Sequence, residues 1–432
     1  MSREPLSSIT LGPAASRLHR VREDELLRNS FYLTVTTGTI AAFGFAFWLL
    51  NSRLYTAGQI GAATTLISGA SLIANISLFG FNTTFIRFLP TSQQRDEEIN
   101  TGLVIVFCTA LLAAALYVLL IPWIAPRLAF MRGSFAFAAG FVALTAFWAV
   151  NLVTDSVFIA FRRAQYNVLV DGVIQGVAKL ALAALLVGLG AYGVFMSSGL
   201  AAAAAVAASI LFMVRTVGYQ PRLSLSLRVL RRSWDYSAAA YAANLLILGP
   251  VLVTPLIVLN VRGPRQAGYY FMAFQLASLL YAMGYAVSQS LFAEASQAGA
   301  DLHALVLRSG KLLARLCLPL AVLVALTAQW LLLVFGRAYS EHAATALVVL
   351  ALSTPSVALC TVAGTVLKIE KQLKAVVFTA AVYAATIVGL ALLWASRGLP
   401  WVALAWLIGN TAAGLLGAAI ATARLRHHRS PQ

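Results

Sequence analysis

The stretch LYTAGQIGAATTLISGASLIANISLFGFNTTFIRFLP, Leu54–Pro90, decides how the rest of the chain is read. From 59 to 82 it is apolar enough, and long enough at roughly 20 residues, to cross a bilayer as a helix. Thr64, Ser68, Ser71, Asn75 and Asn82 interrupt it at steps of 4, 3, 4 and 7, which is one face of a helix. An unpaired polar group in hydrocarbon costs several kcal/mol, so that face must meet protein or a water-filled cavity. The triplets beginning at Asn75 and Asn82 match the glycosylation pattern, but both lie in or beside a span and are discounted.

Composition extends this reading to the whole chain. Of 432 residues, 60% are hydrophobic and 10% charged, far from the roughly 25% charged of a soluble domain. Hydropathy predicts twelve spans, at about 30–51, 59–82, 99–121, 135–160, 168–189, 193–215, 236–259, 267–292, 312–334, 343–367, 375–396 and 400–423. The expected fold is an all-α polytopic membrane protein. Its expected parts are a basic tail at 1–28, a six-helix lobe at 29–216, a linker at 217–235, a second lobe at 236–423 and a tail at 424–432. With both termini inside, 23 of the 31 Lys and Arg residues fall on the inner side and 7 on the outer, with Lys179 left within a span. That is the positive-inside asymmetry. It accounts for the net charge of +17 as topology anchors facing anionic lipid, and excludes a nucleic-acid surface. Cys108, Cys317 and Cys360 sit in apolar runs with no paired or metal-ligand spacing, so neither a disulfide framework nor a metal site is expected.

Shifted by 207 residues, the map of spans falls on itself. Gln59 and Gly61 meet Gln266 and Gly268; Gln165 in FRRAQY meets Gln372 in KIEKQL; GAYGV at 190 meets RGLPWV at 397. Both halves begin on the same side, so they form a parallel repeat with the site expected between them near the midplane. The polar stripe repeats too. Gln275, Ser278 and Gln289 of the eighth span stand in register with Ser68, Ser71 and Asn82, and Tyr285 joins them. Tyr241 and Asn244 of the seventh span border the same expected cavity, and Pro250 and Pro255 should bend that span. The stripe reads either as glue between packed helices or as a cavity lining. Lys179 lies near the middle of the fifth span, sharing a face with Asp171 and Gln175. It reads equally as a functional charge or as one half of an ion pair with Asp155 of the fourth span. Arg87, at the inner end of the second span, reads from its position as a snorkelling anchor.

The opening stretch resembles the N-terminal signature of polysaccharide-biosynthesis membrane proteins. These are the O-antigen-type oligosaccharide-lipid flippases of the multidrug/oligosaccharidyl-lipid/polysaccharide (MOP) exporter superfamily. The shared features are Leu54-Tyr55, Gly61, Gly80 and the closing IRFLP; AGYYFMAFQLASLL at 267–280 and FRRAQYNVLVDGVIQGVAKLALAALLVGLGAYGV at 161–194 look alike as well. The resemblance covers about residues 28–425. It implies two six-helix lobes around a cationic cavity in the bacterial inner membrane. It also implies alternating access, carrying a polyprenyl-diphosphate-linked oligosaccharide to the outer leaflet for lipopolysaccharide-type assembly. On this resemblance Arg87 would approach the lipid diphosphate, where an arginine offers a bidentate fork. The expected substrate contacts are Arg87, Lys179, Ser71, Asn75, Asn82, Asn244, Gln275, Tyr285 and Gln289, with Asp155 and Asp171 as an ion pair or coupling site. No cofactor is expected beyond a coupling H⁺ or Na⁺. The expected partners are the lipid-linked glycan, the bilayer and other polysaccharide-assembly membrane proteins, with the chain itself a monomer. Two other functions stay open. A drug/cation antiporter of the same superfamily needs a membrane carboxylate, for which Asp155 is the candidate. A membrane glycan polymerase or ligase needs outer acid/base groups, and the longest outer loop, 122–134, has no carboxylate.

Overall fold

The computed structural model describes residues 13–295 and 301–427, and every regular element among them is helical. The chain order is α1 Pro13–Leu54, α2 Ala57–Ile76, α3 Phe81–Phe88, α4 Arg95–Ile124, α5 Phe135–Ala160, α6 Gln165–Leu185, α7 Ala191–Val217, α8 Leu227–Arg262, α9 Pro264–Ala295, α10 Leu302–Leu326, α11 Arg337–Leu352, α12 Thr354–Ile369, α13 Leu373–Trp394 and α14 Leu399–His427. Among the described residues, eleven helices are long and apolar enough to cross a membrane. A twelfth crossing is α11 with α12, bent by 41° between Leu352 and Thr354. Caps in the sequence set several starts. Thr56 and Gln59 form a reciprocal capping box at α2, and the Asp301 carboxylate accepts from the His303 and Ala304 amides at α10. That cap places the ninth crossing at Leu302–Leu326, not at 312–334; after Thr327 the apolar run continues as a separate short helix, Ala328–Leu333. The stretch read as a linker is non-helical only over 218–226, since α8 begins at Leu227. The face where that segment lies is called the linker face below, and the opposite one the distal face.

The second predicted span is broken. The chain leaves α2 at Ile76, turns through Phe79 (φ 45°) and Gly80 (φ 76°), and restarts as α3. Both residues sit in the left-handed region, where a side chain is disfavoured. What holds the turn is one face of α8. The Ser233 hydroxyl donates to the Phe79 carbonyl at 3.3 Å and meets the Thr84 hydroxyl at 2.9 Å. Ser237 fills the space beside Gly80, where a Cβ would lie 1.8 Å from its hydroxyl oxygen. Tyr241 donates to the Ile76 carbonyl and, at 3.2 Å, to that of Asn75. Steps of four residues place 233, 237 and 241 on one helical face. Carbonyls that the break frees are thus satisfied from a neighbouring helix, as a buried backbone in a membrane requires. The break also means that Asn75 and Asn82 do not share a helix face, contrary to the periodicity of the sequence.

At the distal end α2 and α9 touch backbone to backbone. A Cβ on Gly61 would stand 1.8 Å from the Pro264 carbonyl and 2.6 Å from the Gly268 nitrogen, and one on Gly268 would stand 2.3 Å from the Ala57 carbonyl. Small residues permit such close crossings in membrane helices. Around this crossing one buried apolar cluster runs through both helix groups, including Trp48, Ile60, Tyr270 and Trp406. Towards the linker face the core divides. The first group is packed around Phe81, Phe85 and Phe158, and the second around Leu291, Leu367 and Val376. The two groups are therefore fused on the distal side and separately packed on the linker side, where α8 braces the broken span together with α4, whose Thr109 hydroxyl donates to the Ser77 carbonyl at 3.4 Å.

The repeat is real in outline, but its register drifts. Gly61 meets Gly268, an offset of 207. At the next linker-face turn, Arg162 (φ 54°) corresponds to Lys371 (φ 55°), an offset of 209. The same amide contacts recur there, Arg163 to Phe158 and Gln372 to Leu367. Gln372 therefore pairs with Arg163, not with Gln165. At the following distal turn the matching glycines are Gly190 and Gly398, an offset of 208. The lost residue is a wide π-helical turn, Val168–Ile174, inside α6, where an extra residue is taken into the helix.

Candidate functional site

Among the described residues, three cavities hold part of the polar interior. The smallest, about 140 Å³, lies between α2, α8 and α9 and is lined by Ser68, Ser71, Thr254 and Gln275 with Pro250 and Pro255. Through both prolines α8 runs on as one helix, and the Thr254 hydroxyl donates to the Pro250 carbonyl. A second cavity of about 380 Å³ opens at the linker face beside α3 and α8, with Asn82, Tyr241 and Asn244 in its wall. A third, of about 340 Å³, is enclosed by α8, α9, α12, α13 and α14, with Tyr285, Gln289, Thr365, Tyr383 and Asn410 in its wall. Ile247, Lys368 and Val376 belong to the walls of both larger cavities, so Lys368 stands where they meet.

The predicted stripe is thus distributed over three places rather than one. Ser71 and Gln275 share the small central cavity. Asn82 and Asn244 face the linker-side opening, and Tyr285 and Gln289 line the chamber of the second helix group. Asn75 donates to the Ser71 carbonyl of its own helix at 2.9 Å and lines none of the three. Arg87 lies on α3 with its guanidinium carbon 5.7 Å from the Phe88 ring, outside all three walls. Lys179 is likewise outside them, its ammonium 5.8 Å from the ring centre of Trp148. The chamber residues that sequence reasoning missed include Lys368, Ser288, Thr365, Tyr383 and Asn410. Thr361, Thr365 and Lys368 all line the chamber and follow steps of 4 and 3 along α12, the same signal that marks the second span; by the charge rule alone Lys368 is one of the 23 inner anchors.

The carboxylates form a separate cluster inside the first helix group. Asn151 of α5 donates through its amide nitrogen to Asp171 at 2.9 Å and to Asp155 at 3.3 Å. Gln175 donates to the Asn151 side-chain oxygen at 3.3 Å, and Asn167 to the Asp155 backbone carbonyl at 3.3 Å. The Asn151 amide therefore bridges the two carboxylates. The expected Asp155–Lys179 ion pair is absent among the described residues. The π-helical turn carries Asp171 towards α5, and Lys179, eight residues on, sits about 12 Å further along α6. No group of three metal-ligating side chains occurs among the described residues, and Cys108, Cys317 and Cys360 are free thiols.

A family profile described as polysaccharide biosynthesis protein matches residues 52–344. No curated protein matches the chain. Among solved structures, the lipid II flippase MurJ in its inward closed conformation matches with a TM-score of 0.72 at 11% identity, over 90% of this chain and 87% of that one. An inward-facing multidrug resistance MATE family transporter of the MOP superfamily matches with a TM-score of 0.67 at 13% identity, over 92% and 98%. A MOP superfamily transporter from Pyrococcus furiosus, described as having a binding pocket of reversed polarity, matches with a TM-score of 0.61 at 14% identity, over 94% and 96%. At these identities the likeness is one of fold. The profile spans more than half of the residues, and the chain belongs to the polysaccharide biosynthesis protein family, with the fold of the MOP-superfamily membrane proteins.

Proposed function

We propose that the chain moves a polyprenyl-diphosphate-linked oligosaccharide from the cytoplasmic to the outer leaflet of a bacterial inner membrane, for assembly of a cell-surface polysaccharide. The observation that carries this reading is the divided core. The helix groups are fused on the distal side and packed separately on the linker side, where the amide- and hydroxyl-lined cavity with Asn82 and Asn244 opens. A bistable pair of bodies hinged at one end is what alternating access requires. The positive-inside rule makes the linker face cytoplasmic, so the cavity opens where a lipid-linked glycan is made. Family membership supports the glycan as cargo. Asn, Gln, Ser, Thr and Tyr supply the hydrogen-bonding partners that a sugar needs while the lipid tail stays in the bilayer.

The same reading gives Asp155, Asp171 and Asn151 the coupling-ion role, for H⁺ or Na⁺, since intramembrane carboxylates mark ion pathways. Their place within one helix group, away from the glycan cavities, lets ion occupancy bias the packing of α5 against α6 without competing for the cargo. Deleting the gene and locating the lipid-linked glycan tests the function. The carrier should accumulate on the cytoplasmic leaflet and return to normal distribution on complementation; a normal distribution without the gene would refute the proposal.

A further inference from the structure

The two helix groups do not carry equivalent interiors. In the first, the space between the helices is filled by Phe81 and Phe85, both fully buried. By the offset that pairs Gly61 with Gly268, their counterparts in the second group are Ser288 and Phe292, both in the chamber wall. By the offset of the Arg162 and Lys371 turn, Asn151 and Asp155 correspond to Cys360 and Gly364, again both in that wall. Where the first group sets buried aromatic and acidic side chains at these positions, the second has a chamber whose lining holds no carboxylate. The one charge in the lining is Lys368. Among the described residues its ammonium makes no ion pair.

The walls are also under-used as hydrogen-bonding groups. Ser288 is 5% exposed, and its hydroxyl has no partner among the described residues. A buried polar group without a partner is destabilising, and it calls for a ligand or water that satisfies it. Tyr285, Gln289, Thr365 and Tyr383 add hydroxyls and an amide to the same wall. A volume of about 340 Å³ falls within the range of roughly 300–1,000 Å³ typical of small-molecule sites. One cation at the mouth, neutral donors and acceptors within and no acidic side chain together select a compact, hydroxyl-bearing anion.

We infer that this chamber of the second helix group is the seat of a glycosyl phosphate, with Lys368 contacting the phosphate and Ser288 and its neighbours the adjoining sugar. The inference rests on the proposed transport of a lipid-linked glycan, and it moves the anion contact from the axis between the groups to one group alone. The first group then handles the ion and the second the head of the cargo, which explains why a repeated fold has two unlike interiors. Entry is from the linker-face cavity, which shares Lys368 with the chamber.

The test is binding to the purified full-length protein in nanodiscs, read by native mass spectrometry. The probe is a short-chain prenyl-diphosphate-linked N-acetylhexosamine, with a free hexose 1-phosphate and an anionic phospholipid as separate arms. Lys368→Ala should weaken probe binding about tenfold, as loss of a charge-assisted contact does. Lys368→Arg should restore most of it. Ser288→Phe, which installs the side chain that fills the first group, should abolish it, while Lys374→Ala, outside the chamber wall, should bind as wild type. Equal probe binding by wild type, Lys368→Ala and Ser288→Phe would overturn the chamber assignment and leave the transport reading intact. Binding of the free sugar phosphate, but not the prenyl-linked probe, with the same dependence on Lys368 and Ser288 would support the chamber and remove the lipid-linked cargo, whereas binding of the phospholipid alone would overturn the glycosyl-phosphate assignment. No binding of any of the three anions to wild type would overturn the inference outright.

Discussion

Tyr241 of α8 donates its phenolic hydrogen bond to the carbonyl of Ile76, the last residue of α2, across the junction between the two helix groups. With the Ser233 bond to Phe79, it is a polar tie holding the groups together near the linker face, where the apolar core has already divided. Replacing Tyr241 by Phe keeps the ring and removes the tie. A net hydrogen bond is worth about 1 kcal/mol, or about fivefold in an equilibrium. Maleimide labelling of Asn82→Cys, in a background without the three native cysteines, should therefore become about fivefold faster in Tyr241→Phe; an unchanged rate would show that the tie does not limit the widening of the linker-face opening.

On the distal side, Gly61 is the position where α2 and α9 allow no side chain. A Cβ there would overlap the Pro264 carbonyl at 1.8 Å. Gly61→Val should cost about 1–3 kcal/mol, as overpacking does, and lower the melting temperature by several degrees. Gly58→Ala is the control, because its Cβ would meet only Arg265 at 3.5 Å, an ordinary contact. Thermal melts of both variants in detergent check this; equal stability would mean that the close crossing is not a structural requirement.

Asn151 orients both carboxylates of the first group through a single amide. If Asp155 and Asp171 hold the coupling ion, Asn151→Leu should weaken ion affinity about 10- to 100-fold, the usual loss when a group that orients ion ligands is removed. Asp171→Asn should abolish ion dependence altogether. The check is the shift in melting temperature on exchanging K⁺ for Na⁺, and on acidification, in wild type and both variants. Undiminished shifts would move the coupling ion elsewhere.

Outside the spans, Tyr219 fastens the segment 218–226 to the start of α4 by donating to the Asn100 side-chain oxygen at 2.5 Å. Burial, and secondarily the charge of Asp96, push this phenol up from its ordinary 10.0 to about 12. Because the folded-state value is raised, the stabilisation from the neutral phenol is fully present below pH 10 and is lost as pH rises through about 12. The phenolate absorbance difference between wild type and Tyr219→Phe should appear near pH 12; ionisation near 10 would contradict the packing of this segment.

How far these features could be read from the sequence follows from their physical origin. Most of the crossings, and the polar positions within them, were legible because hydropathy and helical period act locally. Gly61 and Gly268 were legible as matching positions. The break after Ile76 was not, since Phe79 adopts a left-handed backbone only because Ser233, Ser237 and Tyr241, some 150 residues away in the chain, brace the turn. The carboxylate cluster was partly legible: Asp155 and Asp171 stood out, but the π-helical turn that aims Asp171 at Asn151 has no signature in hydropathy. Lys368 was hidden by a rule that counts charges at helix ends as anchors, although the threonines before it on α12 share its face.

The most direct test of transport uses the purified protein in liposomes carrying a fluorescent short-chain prenyl-diphosphate glycan, with membrane-impermeant quencher added outside. Protein-containing vesicles should lose nearly all fluorescence as the carrier crosses from the inner leaflet, while protein-free vesicles should retain about half. Retention of that half in the presence of correctly folded protein, with and without an imposed Na⁺ or proton gradient, would contradict the account.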